Sequence, residues 1–110
     1  MAKARRYSGY SEEAVILLGK QIKLGRKQRQ WSEVECAERA GISRATLQKI
    51  EKGNLSCAIG LVFEVAFLTG VPLFQSEPVS MGGKLDRVED KIRLLPDRIR
   101  KRHKEVGDDF

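Results

Sequence analysis

Hydrogen-bond donors of the kind that bind nucleic acid are concentrated in residues 43–54 of this 110-residue chain. Arg44, Ala45, Gln48 and Lys49 follow the spacing i, i+1, i+4, i+5, which places residues on one face of a helix. Arginine, glutamine and lysine side chains donate to base edges and phosphates in a major groove. Two short hydroxyls in the same segment suit contacts with a sugar–phosphate backbone: Ser43 and Thr46.

Two short helices separated by one glycine are predicted to position these donors. Ser32 and Glu35 form a capping box that begins the first helix, and Gly41 ends it. Ser43 can cap a second helix over residues 44–52. Helices joined by so short a turn cross at a steep angle. The apolar residues expected to lock them together are Cys36, Ala37, Ala40, Ile42, Leu47 and Ile50.

Three further helices are predicted around this pair. Val15, Leu18 and Ile22 recur at helical spacing in a helix over residues 11–29. A fourth helix follows Ser56, and a fifth amphipathic helix covers residues 85–95. No segment alternates polar and apolar residues long enough to predict a strand, so the expected fold class is all-α. Four aromatic or aliphatic side chains near the fourth helix are expected in the core, although a dimer interface on the fourth and fifth helices is an open alternative: Phe63, Phe67, Leu73 and Phe74.

The expected domain organisation has four parts. They are a flexible basic arm over residues 1–10, a helix-turn-helix domain over residues 11–74 with its motif at about 33–52, a Pro/Gly/Ser-rich linker over residues 75–84, and a C-terminal amphipathic helix with a charged tail over residues 85–110. The basic run within that tail is expected to be solvated.

The bulk composition is compatible with a polyanionic partner. Lys and Arg number 21 against 15 Asp and Glu, a net charge of +6. Cys36 and Cys57 have neither a disulfide nor a zinc spacing, and are expected to be small apolar residues in a reducing cytoplasm. No apolar run reaches the roughly 20 residues of a membrane span. We therefore expect a cytoplasmic protein without a membrane partner, a metal site or a cofactor.

Catalytic chemistry finds little support in the sequence. The one histidine, His103, lies among charged residues, and residues 82–84 lack the spacing of a phosphate-binding loop. The chain is therefore predicted not to be an enzyme. A protein–protein adaptor is the alternative from another functional class.

Residues 40–53, AGISRATLQKIEKG, resemble the recognition segment of the Xre family, which includes the phage lambda-type repressors and many antitoxins. The resemblance covers residues 18–71. It implies the compact five-helix fold of those repressors and a homodimer on a palindromic double-stranded DNA operator. The family's base-reading positions carry Arg44, Ala45 and Lys49, and its phosphate-binding positions carry Thr46, Lys52 and Asn54.

The resemblance also implies a salt bridge between Arg26 and Glu51, and it is imperfect at one position. The family usually has glutamine as the first residue of the second helix, where this chain has Glu33. A carboxylate there is repelled by phosphate. Either the DNA lies slightly further away, or Glu33 pairs with Arg44 or Arg29.

Residues 53–71, with residues 94–104 and the closing DDF, are similar to HipB-like Xre proteins. Those proteins are antitoxins that bind kinase-like toxins and repress their own operons. The resemblance implies an autorepressing antitoxin of a HipBA-like toxin–antitoxin operon with a kinase-like toxin as partner. The alternative is a stand-alone Xre-type transcriptional or phage repressor.

Overall fold

The computed structural model describes residues 6–74 and 80–98, and these ranges contain helices but no strand. The prediction of an all-α fold with five helices is confirmed. The chain divides into two compact units, Met1–Gln75 and Ser76–Phe110. Four helices belong to the first unit and one to the second: α1 (Gly9–Gln28), α2 (Glu33–Ala40), α3 (Arg44–Glu51), α4 (Ile59–Leu68) and α5 (Met81–Arg93).

Four of these five helices have a serine as the N-cap residue. In each, the serine Oγ accepts a hydrogen bond from the backbone N–H three residues later, which satisfies one of the free donors of the first turn. α4 differs, because Ala58 precedes it without a side-chain cap. The capping serines are Ser8, Ser32, Ser43 and Ser80.

Two helices begin earlier than predicted. α1 begins at Gly9 instead of residue 11, because Ser8 is the cap and Ser11 supplies the backbone N–H that it accepts. α5 begins at Met81, inside the predicted linker, because Ser80 caps it through the N–H of Gly83. The remainder of the predicted arm and linker, residues 1–5 and 75–79, lies outside the described residues, as do residues 99–110 of the predicted tail.

The core of the first unit forms where α2 packs on α3 and α4, and where α1 packs on α3 and α4. Gly19 allows α1 to pass close to the end of α3. A Cβ atom at that position would lie 2.6 Å from the backbone oxygen of Ile50 and 2.7 Å from that of Glu51. Most residues predicted to lock the motif together are buried, and Ala40 and Ile42 pack against the core at its edge. The buried apolar residues are Ile22, Cys36, Ala37, Leu47, Ile50, Val65, Ala66 and Val71.

Two aromatic residues expected in the core are instead exposed. Phe67 is 74% exposed and Phe74 is also mostly accessible. Nearly every residue of α4 is apolar, so its sequence does not distinguish the buried face from the other. The domain buries the face that carries Val65 and Ala66. Phe63 packs edge-to-face on Phe74, with ring centroids 6.4 Å apart.

The described part of the second unit consists mainly of α5. None of the residues of this helix is buried. No helix within residues 6–74 and 80–98 combines the length and the apolar character that a membrane span requires.

Candidate nucleic-acid interface

The two faces of α3 differ in burial. Leu47, Ile50 and Glu51 are buried on the side that packs against α1 and α2. Arg44 and Lys49, on the other side, are exposed. The helix is therefore fixed by its inner face and presents its basic side chains to solvent, as a recognition helix requires.

The turn between α2 and α3 sets the crossing of the two helices. Gly41 ends α2 with a φ of 71°, a left-handed conformation that glycine adopts at little cost. The next backbone N–H, that of Ile42, donates to Ala37 O at 3.0 Å. Ser43 then caps α3. The whole turn takes three residues, 41–43, so α3 is held directly against α2.

The predicted DNA-contacting residues lie on or next to α3, with different degrees of exposure. Six are exposed, namely Ser43, Arg44, Ala45, Lys49, Lys52 and Asn54, and two are half-buried, namely Thr46 and Gln48. The structure thus brings all eight into one part of the domain.

Three of these side chains already make local hydrogen bonds. Ser43 Oγ accepts from the N–H of Thr46 and donates to Thr46 Oγ1, both at 3.0 Å. Asn54 Oδ1 accepts from the N–H of Ser56 at 2.8 Å and from its hydroxyl at 2.6 Å. Each of these contacts shapes a helix start or a turn, so the three side chains have a structural role whatever they bind.

Glu33 connects α2 to the recognition helix. Its Oε1 accepts from Arg44 Nε at 2.8 Å and from Gln48 Nε2 at 3.0 Å. The Arg44 hydrogen bond lowers the pKa of the Glu33 carboxyl below its ordinary value, and Gln48 lowers it further. Of the two pairings open at the sequence level, the structure has Glu33 with Arg44.

Arg29, the other possible partner of Glu33, contacts a different part of the domain. Its Nη1 donates to Thr69 O at 2.9 Å and to Gly25 O at 3.4 Å. Its guanidinium also lies 5.8 Å from the centre of a Trp31 ring. These contacts tie α1 to the end of α4.

The second arginine–glutamate contact of the motif, between Arg26 and Glu51, is buried. Arg26 Nε donates to Glu51 Oε2 at 2.7 Å, and Nη2 donates to Oε1 at 3.0 Å. A third bond runs from Arg26 Nη1 to Trp31 O at 3.1 Å. Glu51 raises the pKa of Arg26 above its ordinary value, against the effect of burial. This fork-to-fork geometry is the arrangement in which arginine binds carboxylates most specifically.

The two pairs are close to each other, because Arg26 Nη2 also lies 4.0 Å from Glu33 Oε2. Charges therefore alternate in sign from the interior to the recognition face, in the order Glu51, Arg26, Glu33, Arg44. The buried end fixes α1 against α3, and the exposed end holds Arg44.

A shallow groove of about 150 Å³ lies beside this cluster, and Lys23 and Lys52 line it together with Glu33, Gln48 and Glu51. Lys23 was not among the predicted site residues. A signal for it exists in the sequence, because Lys20, Lys23 and Lys27 recur at i, i+3 and i+7 on α1. The basic surface therefore includes part of α1.

Metal ligation and thiol chemistry have little basis in the described residues. Within residues 6–74 and 80–98, no group of three or more His, Cys, Asp or Glu side chains could hold a metal ion. Cys36 is buried, and burial raises the pKa of its thiol. His103 and most of the predicted basic run lie outside the described residues.

Comparison with known families finds a match over the part of the chain that contains α2 and α3. Residues 22–73 match the family described as Helix-turn-helix. This range contains the end of α1 and the whole of α2, α3 and α4. No curated protein matches the chain. Residues 22–73 are therefore similar to helix-turn-helix domains, in agreement with the short turn that joins α2 to α3.

Proposed function

We propose that this chain, whose residues 22–73 form a helix-turn-helix domain, is a sequence-specific DNA-binding repressor that acts as a homodimer on a palindromic operator. The observation that carries the proposal is the contact between Arg44 and Glu33. It holds a mostly exposed arginine at the first turn of the recognition helix, where such helices contact base edges.

The geometry of that contact favours guanine as the base read by Arg44. Glu33 engages Nε, so the donors of Nη1 and Nη2 serve a bidentate contact with O6 and N7 of a guanine. The Arg44 side chain is 61% exposed, so those atoms are accessible. Such a contact contributes about 1–3 kcal/mol of discrimination between bases.

Lysines around the recognition helix supply the sequence-independent part of the affinity. Lys49 and Lys52 extend from α3 and its end, and Lys23 lines the adjoining groove. Each lysine that neutralises a phosphate releases condensed counterions, so its loss reduces the salt slope of binding by about 1. The carboxylate of Glu33 repels phosphate, which directs the backbone contacts to these lysines and away from the start of α2.

The test begins with selection of a preferred operator from random duplex DNA. Arg44→Ala should reduce the preference for that operator over variants changed at one guanine, and Lys52→Ala should weaken binding to every duplex about equally. Arg87→Ala, which removes an exposed arginine from α5, is the matched control and should change neither quantity.

Two outcomes would contradict the proposal. Unchanged operator preference in Arg44→Ala removes the base contact. Absence of any DNA binding by the wild-type chain, combined with capture of a protein partner that Arg44→Ala still binds, favours an adaptor.

The antitoxin role is a narrower proposal that depends on the resemblance of residues 53–71 and 94–104 to HipB-like proteins. Its test is co-purification with the product of the neighbouring reading frame. A kinase-like product that binds the full chain supports the antitoxin role. A neighbour of another kind, with operator binding intact, supports a stand-alone repressor.

A further inference from the structure

Gln48 lies one helical turn after Arg44 on α3, and both side chains donate to the same atom. Gln48 Nε2 lies 3.0 Å from Glu33 Oε1, and Arg44 Nε lies 2.8 Å from it. Two positions of the recognition helix thus hold one carboxylate oxygen of α2. Because a carboxylate oxygen has about two lone-pair sites, Oε1 is fully engaged by these donors.

The charge of Glu33 fixes which end of the Gln48 amide faces it. An ionised carboxylate has no hydrogen to donate, so only the amide nitrogen can bind it. The hydrogen bond from Arg44, and then that from Gln48, lowers the pKa of Glu33 below its ordinary value. The carboxylate is therefore ionised at neutral pH, and Gln48 acts as its donor.

Arg26 competes with Arg44 for this carboxylate. Three of its N–H donors serve Glu51 and Trp31 O. Nη2 carries a second N–H, and this nitrogen lies 4.0 Å from Glu33 Oε2. Arg26 is buried, where salt screens an attraction less than at the surface. Without a further contact at Oε1, the carboxylate would turn towards Arg26 and away from Arg44.

We propose that Gln48 is a positioning residue that holds Glu33 Oε1 on Arg44 against the attraction of Arg26. Gln48 thereby fixes the direction of the Arg44 side chain before DNA binds, which lowers the ordering cost of a base contact. The inference rests on the proposed reading of a base by Arg44. It gives Gln48 a role that requires no contact with DNA.

The first experiment measures solvent exchange of the arginine Nε–H protons in the full-length chain by NMR, with no DNA present. Gln48→Met keeps a side chain of similar length but removes the donor. The Nε–H of Arg44, identified by its loss in Arg44→Ala, should exchange at least about fivefold faster in Gln48→Met. The Nε–H of Arg26 should keep its rate, because its bond to Glu51 is buried.

Two references separate positioning from a general loss of structure. A substitution that loosened the whole domain would accelerate exchange at Arg26 as well as at Arg44. Gln21→Met is the matched control, since Gln21 is an exposed glutamine of α1 that lines a different groove, beside the turn after α4. It should change neither exchange rate.

The second experiment measures the preference for the selected operator over a variant changed at one guanine. Gln48→Met alone should lower this preference at least about threefold, because Arg44 is no longer held in position. In the Glu33→Gln background the same substitution should have almost no further effect, because a neutral amide at position 33 is not attracted to Arg26. A direct contact of Gln48 with a base would give equal losses in both backgrounds.

Three results would overturn the positioning role. They are unchanged exchange at Arg44 in Gln48→Met, equal acceleration at Arg44 and Arg26, and equal loss of preference in the two backgrounds. Failure of the proposed function is a different result, because operator preference would then be unaffected by Arg44→Ala itself. The exchange rates are measured without DNA, so they decide whether Gln48 holds the contact in either case.

Discussion

Two arginine–glutamate pairs lie in the same helix-turn-helix domain and differ in how far solvent reaches them. The side chains of Arg26 and Glu51 are 7% and 5% exposed, and those of Arg44 and Glu33 are 61% and 29% exposed. Both pairs join α3 to another helix through an arginine Nε at 2.7–2.8 Å. The chemistry is therefore the same and the environment is different.

Burial decides how much each of these two ion pairs contributes to stability. Arg26 donates two hydrogen bonds to Glu51, and every buried side-chain polar atom of the described residues has a hydrogen-bond partner. Removing one member leaves a buried charge without compensation. In the exposed pair water readily replaces a lost partner, so breaking the contact between Arg44 and Glu33 costs the domain little stability.

The largest expected effect is on stability, at the buried pair. Arg26→Ala should lower the free energy of unfolding by about 3–5 kcal/mol, because Glu51 keeps its charge in the interior. Urea unfolding followed by circular dichroism measures it. Arg93→Ala, which breaks the exposed pair with Asp90, is the control and should change the midpoint little. A loss for Arg26→Ala no larger than for this control would show that the buried pair does not fix the motif.

The next effect is on DNA specificity, at the exposed pair. Arg44→Lys keeps the positive charge but loses the planar fork that binds guanine at two atoms. Affinity for random duplex DNA should stay within about twofold of wild type, and preference for the selected operator should fall at least about tenfold. Fluorescence anisotropy at fixed salt measures both. Equal loss on both DNAs would mean that Arg44 contacts phosphate and does not read a base.

A smaller effect is expected at Glu33. Glu33→Gln keeps an acceptor for Arg44 but removes the charge that repels phosphate. Binding to random duplex DNA should strengthen by about two- to fivefold, and operator preference should fall because Arg44 is held less firmly. At neutral pH the urea midpoint should fall slightly, because the hydrogen bonds from Arg44 and Gln48 lose the charge of their acceptor. Weaker binding to random DNA would instead show that the carboxylate assists DNA binding.

The smallest effect is a change of stability with pH. Arg44, then Gln48, holds the pKa of Glu33 below its ordinary 4.5, so the unfolded chain binds a proton at a higher pH than the folded chain. The stabilising contribution is therefore complete above pH 4.5 and is lost as pH falls through the lower, folded-state pKa. The difference in urea midpoint between wild type and Glu33→Gln should shrink across this range, and a constant difference would contradict the assignment.

Much of the domain follows from short-range sequence patterns. The boundaries of α2 and α3 are close to the predicted ones, because Ser32, Gly41 and Ser43 act on backbone groups within a few residues. The apolar spacing also identified Leu47 and Ile50 as inward-facing. The starts of α1 and α5 were wrong, because each has more than one residue that can begin a helix.

The choice of ion-pair partner required the tertiary structure. The sequence left Arg29 and Arg44 as equal partners for Glu33. Because α1 packs against the end of α4, Arg29 donates a hydrogen bond to Thr69 O. Because α2 crosses α3, Arg44 donates a hydrogen bond to Glu33. Neither distance is encoded in local spacing, because each depends on how two helices cross.

The sequence by itself determined the recognition helix, its caps and the residue types on its solvent face, because those depend on contacts within one or two helical turns. The tertiary structure decided which arginine is buried and which is presented. It also decided which face of α4 leaves Phe67 in solvent. These outcomes arise from packing between elements distant in sequence, where the same side chain has several possible partners and only the assembled core selects one.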